Sequence, residues 1–105
     1  MSVSKSDLVK YRLARAHETL EDALLLAENN KWNSAINRLY YAAFYAVSAL
    51  IILKNQDSST HNGLKTMFSV LFIKTGIIGK EHGKIYSQLF TWRQKGDYDD
   101  MFDID

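Results

Sequence analysis

The fold of this chain is decided by residues 32–54, which read WNSAINRLYYAAFYAVSALIILK. Apolar side chains recur three or four positions apart, the spacing of one helical face: Ile36, Tyr40, Ala43, Phe44, Val47, Leu50 and Ile51. A second row, about 100° around the helix, combines aromatic rings with polar tips: Asn37, Tyr41, Tyr45 and Ser48. Because a helix that is apolar on two sides is buried on two sides, we predict that this stretch is the central helix.

Three further amphipathic helices are expected around the central one, near Asp7–Asn30, His61–Thr75 and residues 80–95. The first should bury a stripe that includes Val9, Leu13 and Leu20 and leave Arg12 in solvent. The last carries Ile85, Leu89 and Trp92 on one apolar stripe. Short connections between such helices favour an antiparallel arrangement. The sequence therefore predicts an all-α, antiparallel four-helix up-and-down bundle, with residues 1–105 as a single domain.

The helix ends follow from residues that cap or stop helices. Ser4, Asn33 and Thr60 are suited to be N-caps of the first three helices, since their side chains can accept a hydrogen bond from a free backbone N–H. Asn29 and Asn30 should end the first helix, since asparagine tolerates the left-handed conformation. Gly76 should stop the third helix, and Gly96 should end the fourth, which would leave Asp97 and Tyr98 in a turn. Beyond that turn, Met101, Phe102 and Ile104 resemble the start of a fifth helix.

Composition excludes several kinds of site and location. With no cysteine and three separated histidines, neither a disulfide nor a metal site is expected, and no cofactor motif is present. The N-terminus lacks the apolar stretch of a signal peptide, and the apolar run 39–53 is too short to span a bilayer, so we expect a cytoplasmic protein. Residues 1–96 hold 13 basic against 7 acidic groups, a balance compatible with a polyanionic partner.

The first candidate site lies on the central helix, in residues 37–46. Arg38 among the tyrosines could bind phosphate through its fork of donors or stack on a ring such as that of Tyr41. The competing interpretation is a core helix whose tyrosine hydroxyls tie its neighbours together. The residues alone favour that second interpretation.

The second candidate is the segment 93–98, where Arg93 is followed by Asp97 and Tyr98. An arginine that stabilises a phosphoryl charge, next to a group that can move a proton, is the minimum for cleaving RNA by transesterification. Alternatively, Arg93 neutralises the end of its helix and pairs with Asp97. His61, in the first turn of the third helix, is expected to be neutral and to form a hydrogen bond across the bundle.

Residues 37–46, 60–64, 68–76 and 93–98, taken in order, resemble HEPN domains (higher eukaryotes and prokaryotes nucleotide-binding), over about residues 5–100. The resemblance is closest to a short prokaryotic subfamily that is often encoded beside a minimal nucleotidyltransferase. It implies a helical bundle that dimerises around a composite cleft, often as a toxin with a nucleotidyltransferase-type antitoxin, and in many members as a metal-independent ribonuclease. The family signature is an arginine followed, after four to six residues, by a histidine. Arg93 matches the arginine, but Asp97 or Tyr98 stands where the histidine is expected.

Three functions follow from these observations. The first is a nucleotide- or RNA-interacting component of a toxin–antitoxin system, a homodimer with Asn37, Arg38, Tyr41 and His61 as binding residues. The second is a metal-independent ribonuclease that uses Arg93, Asp97 and Tyr98. The third is a purely structural helical module. The first two functions require that the second and fourth helices lie against each other, so that Arg38, the tyrosines and residues 93–98 share one concave surface.

Overall fold

Four α-helices and one π-helical segment make up the computed structural model, which describes residues 4–98, of which residues 96–98 by their backbone alone. In chain order the elements are α1 (Lys5–Glu28), α2 (Trp32–Leu53), α3 (His61–Phe68), the π segment (Ser69–Ile73) and α4 (Lys80–Tyr98). No strand occurs in this described part of the chain. The prediction of an all-α bundle is confirmed.

The central position of α2 is also confirmed. Helices α1, α3 and α4 all pack against it, whereas the Cα atoms of α1 and α4 nowhere approach within 8 Å in the described range. Tyr40, Val47 and Ile51 of α2 form the main core with side chains from the other half of the chain, namely Leu64, Phe68, Phe72, Tyr86 and Leu89. By length and composition α2 could cross a membrane, but in this structure its apolar faces pack against the other helices.

Helix α1 faces α2 with a side that includes Val9, as predicted, but not the predicted leucines. Its buried residues are Val9, Thr19 and Ala23, and Arg12 donates a hydrogen bond of 2.8 Å to the fully buried Ser48 of α2. The leucines that the pattern assigned to the core are partly exposed, Leu13 to 45% and Leu20 to 38%. These two leucines instead line the space between α1 and α4.

Local signals located most of the helix ends. The hydroxyl of Ser4 accepts from the N–H of Asp7 at 3.0 Å, and that of Thr60 accepts from the N–H of Gly63 at 2.9 Å. Asn30, with φ of 59°, and Gly76, with φ of 78°, adopt the left-handed conformation expected at helix ends. Asn33 as a cap is wrong: Lys31 occupies that position, without a side-chain hydrogen bond, because α2 begins at Trp32, two residues before a cap at Asn33 would allow.

The predicted third helix is α-helical only as far as Phe68 and then becomes π-helical. After Phe68 the backbone widens into the π segment, where the N–H of Lys74 donates to the carbonyl of Ser69 at 2.8 Å. The extra residue per turn lets Phe72 stay buried while Ile73 approaches Gly83 of α4. A Cβ added at Gly83 would lie 3.2 Å from Ile73 Cγ1, so glycine permits this close contact.

Helix α4 is longer than predicted. It continues through Gly96 to Tyr98, so Gly96 does not end it, and the backbone of Asp97 and Tyr98 is helical rather than in a turn. A single glycine weakens a helix by about 1 kcal/mol and does not stop it unless the chain also turns there. The side chains of Asp97 and Tyr98, and the predicted start of a fifth helix within 99–105, lie outside the described residues.

Candidate functional site

Two arginines meet at one tyrosine ring where α2 packs against α4. The Cζ atom of Arg38 lies 5.0 Å from the centroid of the Tyr41 ring, and the Cζ atom of Arg93 lies 5.6 Å from the same centroid. Arg93 is also 5.5 Å from the Tyr40 ring. Each such contact is worth about 0.5–2 kcal/mol, so the electron-rich rings hold two like charges near one point.

The guanidinium of Arg38 is oriented by its neighbour Asn37. Its Nε and Nη2 donate to the side-chain oxygen of Asn37 at 3.2 and 2.9 Å. An amide oxygen carries no full charge, so this contact fixes the direction of the arginine without neutralising it. Among the residues with described side chains, no carboxylate lies within ion-pair distance of Arg38. The arrangement is therefore positively charged and partly pre-oriented for an anion.

Both arginines open onto one cleft of about 450 Å³ between α2 and α4. Its lining combines guanidinium, amide, hydroxyl and aromatic groups: Leu26, Asn33, Ser34, Ile36, Asn37, Arg38, Trp92 and Arg93. Guanidinium groups suit phosphate, and an aromatic side chain offers a surface for a base. Asn33, Ser34 and Trp92 were missed as site residues. The spacing of Trp92 assigned it to the core, and only its position next to Arg93 pointed to the cleft.

His61 joins the same aromatic cluster from the start of α3. Its Nδ1 shares a hydrogen bond of 2.7 Å with the hydroxyl of Tyr40, which is fully buried. The imidazole stacks on Phe44, with 4.5 Å between the ring centroids. The predicted hydrogen bond of His61 across the bundle is thus present, and it joins α3 to α2.

Burial favours the uncharged forms of His61, Tyr40 and Tyr86 in this cluster. Burial, and then the charge of Arg93, lower the pKa of His61 below its ordinary value. Burial likewise raises the pKa of Tyr40, and burial together with the neighbouring Tyr40 raises the pKa of Tyr86. His61 is therefore a neutral imidazole at neutral pH, and it is close enough to Arg93 for the charge of the guanidinium to lower its pKa.

The structure brings together four of the residues predicted as site residues: Asn37, Arg38, Tyr41 and Arg93 line or flank one cleft, with His61 beside it. Asp97 and Tyr98 follow Arg93 by about one helical turn, but their side chains are outside the described residues. The roles of all these residues stay predictions. Within the described part of the chain, no group of three metal-binding side chains occurs.

Comparison with known proteins decides the family. The model of the HEPN domain matches residues 9–105, nearly the whole chain. The chain belongs to the HEPN family. No solved structure gives a significant match to this HEPN domain.

Relatives of this HEPN domain occur in bacteria and archaea. It is 43% identical to a "UPF0332 protein" of Thermotoga maritima over 96% of this chain and 76% of the relative. It is 36% identical to "Putative toxin MJ0605" of Methanocaldococcus jannaschii, over 79% of this chain and 62% of that protein. A second protein of that archaeon, "Putative toxin MJ0142", is 32% identical over 88% of this chain and 63% of its own length. The HEPN domain thus spans less than two thirds of each of these two named toxins.

Proposed function

We propose that this HEPN domain is the toxin-type component of a toxin–antitoxin pair and that it binds RNA in the cleft between α2 and α4. The convergence of Arg38 and Arg93 on the Tyr41 ring is the observation that carries the proposal. Two positive charges, at a cleft that also offers an amide and an indole, suit a ligand with both phosphates and bases. The names of the two archaeal relatives support the toxin role.

The partners in this proposal are a second copy of the chain and a nucleotidyltransferase-type antitoxin in the cytoplasm. A second copy is supported by an apolar groove that runs along α2 between α1 and α4. Its walls include Leu13, Leu20 and Ile85, each more than a third exposed. Covering such a surface by a second copy would bring two clefts into one assembly, as the family resemblance implies.

RNA binding is tested by fluorescence anisotropy with labelled single-stranded RNA at low salt. Arg93→Ala should weaken binding by roughly tenfold or more, because it removes a charged contact to phosphate from the centre of the cleft. Arg15→Ala is the matched control, since Arg15 lies on α1 and pairs with Glu18 at 3.1 Å. Equal affinities of the two variants, or no binding by the wild type, would overturn the proposal and leave a structural interaction module as the better description.

A second candidate function, a metal-independent ribonuclease, is favoured by the position of His61. The chain lacks the histidine that follows the arginine in the family signature, yet a neutral imidazole from α3 lies beside Arg93. A neutral imidazole can accept a proton from a ribose hydroxyl while an arginine stabilises the phosphoryl charge.

The nuclease function predicts cleavage of single-stranded RNA in the presence of EDTA. His61→Asn and Arg93→Ala should each abolish it, whereas His17→Asn, an exposed histidine on α1, should not. RNA that stays intact with wild type, or cleavage that survives Arg93→Ala, rules out this mechanism without affecting the binding proposal.

A further inference from the structure

We call the cleft that Arg38 and Arg93 line the arginine cleft. A second positively charged surface lies on the other side of α4 from it. It is a cleft of about 700 Å³ between the α3–π segment and α4, lined by four lysines: Lys65, Lys74, Lys80 and Lys84. The remaining lining residues carry hydroxyl, aromatic or aliphatic side chains or none, namely Thr66, Ser69, Ser87, Phe68, Tyr86, Val70, Ile73 and Gly83. We call this surface the lysine groove.

The lysine groove owes its shape to two local features. The π segment displaces Ser69 and Val70 from where a regular helix would carry them, and Val70 is left 46% exposed. Gly83 lets α4 approach Ile73 closely at the floor of the groove. π-helical turns are rare and frequently mark functional sites, and this one directly lines the groove.

The charge around the groove is almost purely positive. Residues 58–96 contain six basic side chains and one acidic side chain, Glu81. Glu81 lies 3.8 Å from His82 and does not line the groove. Lys74, Lys80 and Lys84 are exposed, so their ammonium groups can reach a ligand without desolvation of a core.

Packing contacts inside the bundle connect the lining of the groove to Arg93, and both clefts border α4. The Nζ of Lys65 lies 5.3 Å from the ring centroid of Phe90, and Phe90 packs edge-on against Tyr40. The ring of Tyr40 in turn contacts the guanidinium of Arg93. Along α4, the distance from Lys80 to Arg93 is roughly 20 Å at 1.5 Å per residue, enough for several nucleotides of a single strand.

From these observations we infer that the lysine groove is a track for the sugar–phosphate backbone of single-stranded RNA whose other end reaches Arg93. The inference rests on the proposed function and adds a binding surface and a minimum ligand length to it. Four lysines that line one groove suit repeated phosphates, which are recognised by their charge and not by base sequence. An acidic polypeptide is the competing ligand, and the test below distinguishes it from RNA.

The test compares two double variants with equal loss of charge. Lys80→Gln with Lys84→Gln removes half of the groove lysines, and Lys5→Gln with Lys10→Gln removes two lysines from the corresponding first turns of α1. Neither pair is buried, so both proteins should fold, which circular dichroism verifies. Binding is measured for an oligouridine of about twelve nucleotides and for a uridine dinucleotide, over a series of salt concentrations.

The groove variant should bind the long oligouridine about tenfold more weakly at low salt, and the slope of log affinity against log salt should fall by about 1.4, as expected for two lost phosphate contacts. Binding of the dinucleotide should not change, whereas Arg93→Ala should weaken the binding of both RNAs.

If the groove variant and the α1 variant bind the long RNA with equal affinity, the lysine groove is not the RNA track, although RNA binding at Arg93 is unaffected. If the wild type binds neither RNA, the proposed function itself fails. Displacement of the oligouridine by polyglutamate of the same charge at equal concentration would overturn the inference in favour of an acidic polypeptide.

Discussion

The contact between Tyr40 and His61 shows how single residues hold this site together. The hydroxyl of a fully buried tyrosine needs a hydrogen-bond partner, and the imidazole supplies it from another helix. The imidazole is half-buried and close to Arg93, so protonation would add a positive charge where the protein solvates it poorly. The same residue thus links core stability to the charge of the arginine cleft.

His61 should make the stability of the domain depend on pH. Its folded-state pKa lies below the ordinary value of 6.5, so the unfolded chain binds more protons in the window just below pH 6.5. The contribution of His61 to the free energy of unfolding is complete above pH 6.5 and is lost as the pH falls through that window. Urea denaturation of wild type and His61→Asn at several pH values checks this, with His17→Asn as the control for loss of an imidazole. A fall in stability that is unchanged in His61→Asn would contradict the assignment.

The hydrogen bond between Arg12 and Ser48 should matter for stability although neither residue is apolar. Ser48→Ala removes the acceptor that Arg12 contacts at 2.8 Å, and we expect the free energy of unfolding to fall by about 1.5 kcal/mol, as for hydrogen bonds to charged groups. Ser34→Ala, at an exposed position on the same helix, should cost less than about 0.5 kcal/mol. Equal costs in urea denaturation would show that the bond contributes nothing.

At the scale of elements, local chemistry accounts for the helix starts at Ser4 and Thr60 and for the left-handed ends at Asn30 and Gly76. These features depend on neighbours within a few residues, so the sequence was sufficient to predict them. The orientation of α1, the π segment and the continuation of α4 past Gly96 were not predicted. Each of these depends on what packs against the helix, which periodicity does not contain.

The cap at Thr60 should position α3 and, with it, His61. Thr60→Ala removes the acceptor for the N–H of Gly63 and should lower the free energy of unfolding by about 1 kcal/mol. Thr60→Ser keeps the hydroxyl and should retain most of the stability. Denaturation midpoints of the two variants decide the matter, and an alanine variant as stable as the serine variant would exclude a capping role.

For the whole molecule, Arg38 and Arg93 were expected from the sequence to share one concave surface with the tyrosines of α2, although the contacts between their side chains could not be predicted. Their convergence at Tyr41 arises because α2 and α4 pack side by side, which brings distant parts of the chain together. Residues 93–98 were indicated both by the chemistry of an arginine next to a group that can move a proton and by the family resemblance. Trp92 was assigned to the core because its helical spacing is that of a buried residue, and a helix that is half core and half cleft satisfies the same pattern.

The quaternary proposal is tested on the groove between α1 and α4. Leu20→Glu places a charge in the groove and should shift a dimer toward monomer in analytical ultracentrifugation, because burying an unpaired carboxylate is costly. Leu25→Glu, on α1 but outside the groove lining and 59% exposed, should leave the assembly unchanged. A monomeric wild type, or equal behaviour of the two variants, would remove the groove as the dimer surface.

The central claim is that Arg38 and Arg93 form one RNA site, and a double-mutant cycle on single-stranded RNA affinity tests it most directly. Arg38→Ala and Arg93→Ala should each weaken binding, and the double variant should depart from the sum of the single effects by at least about 0.5 kcal/mol, since both arginines contact one ligand beside one ring. Strictly additive losses, or wild-type affinity in either single variant, would show that the two arginines do not act on the same ligand.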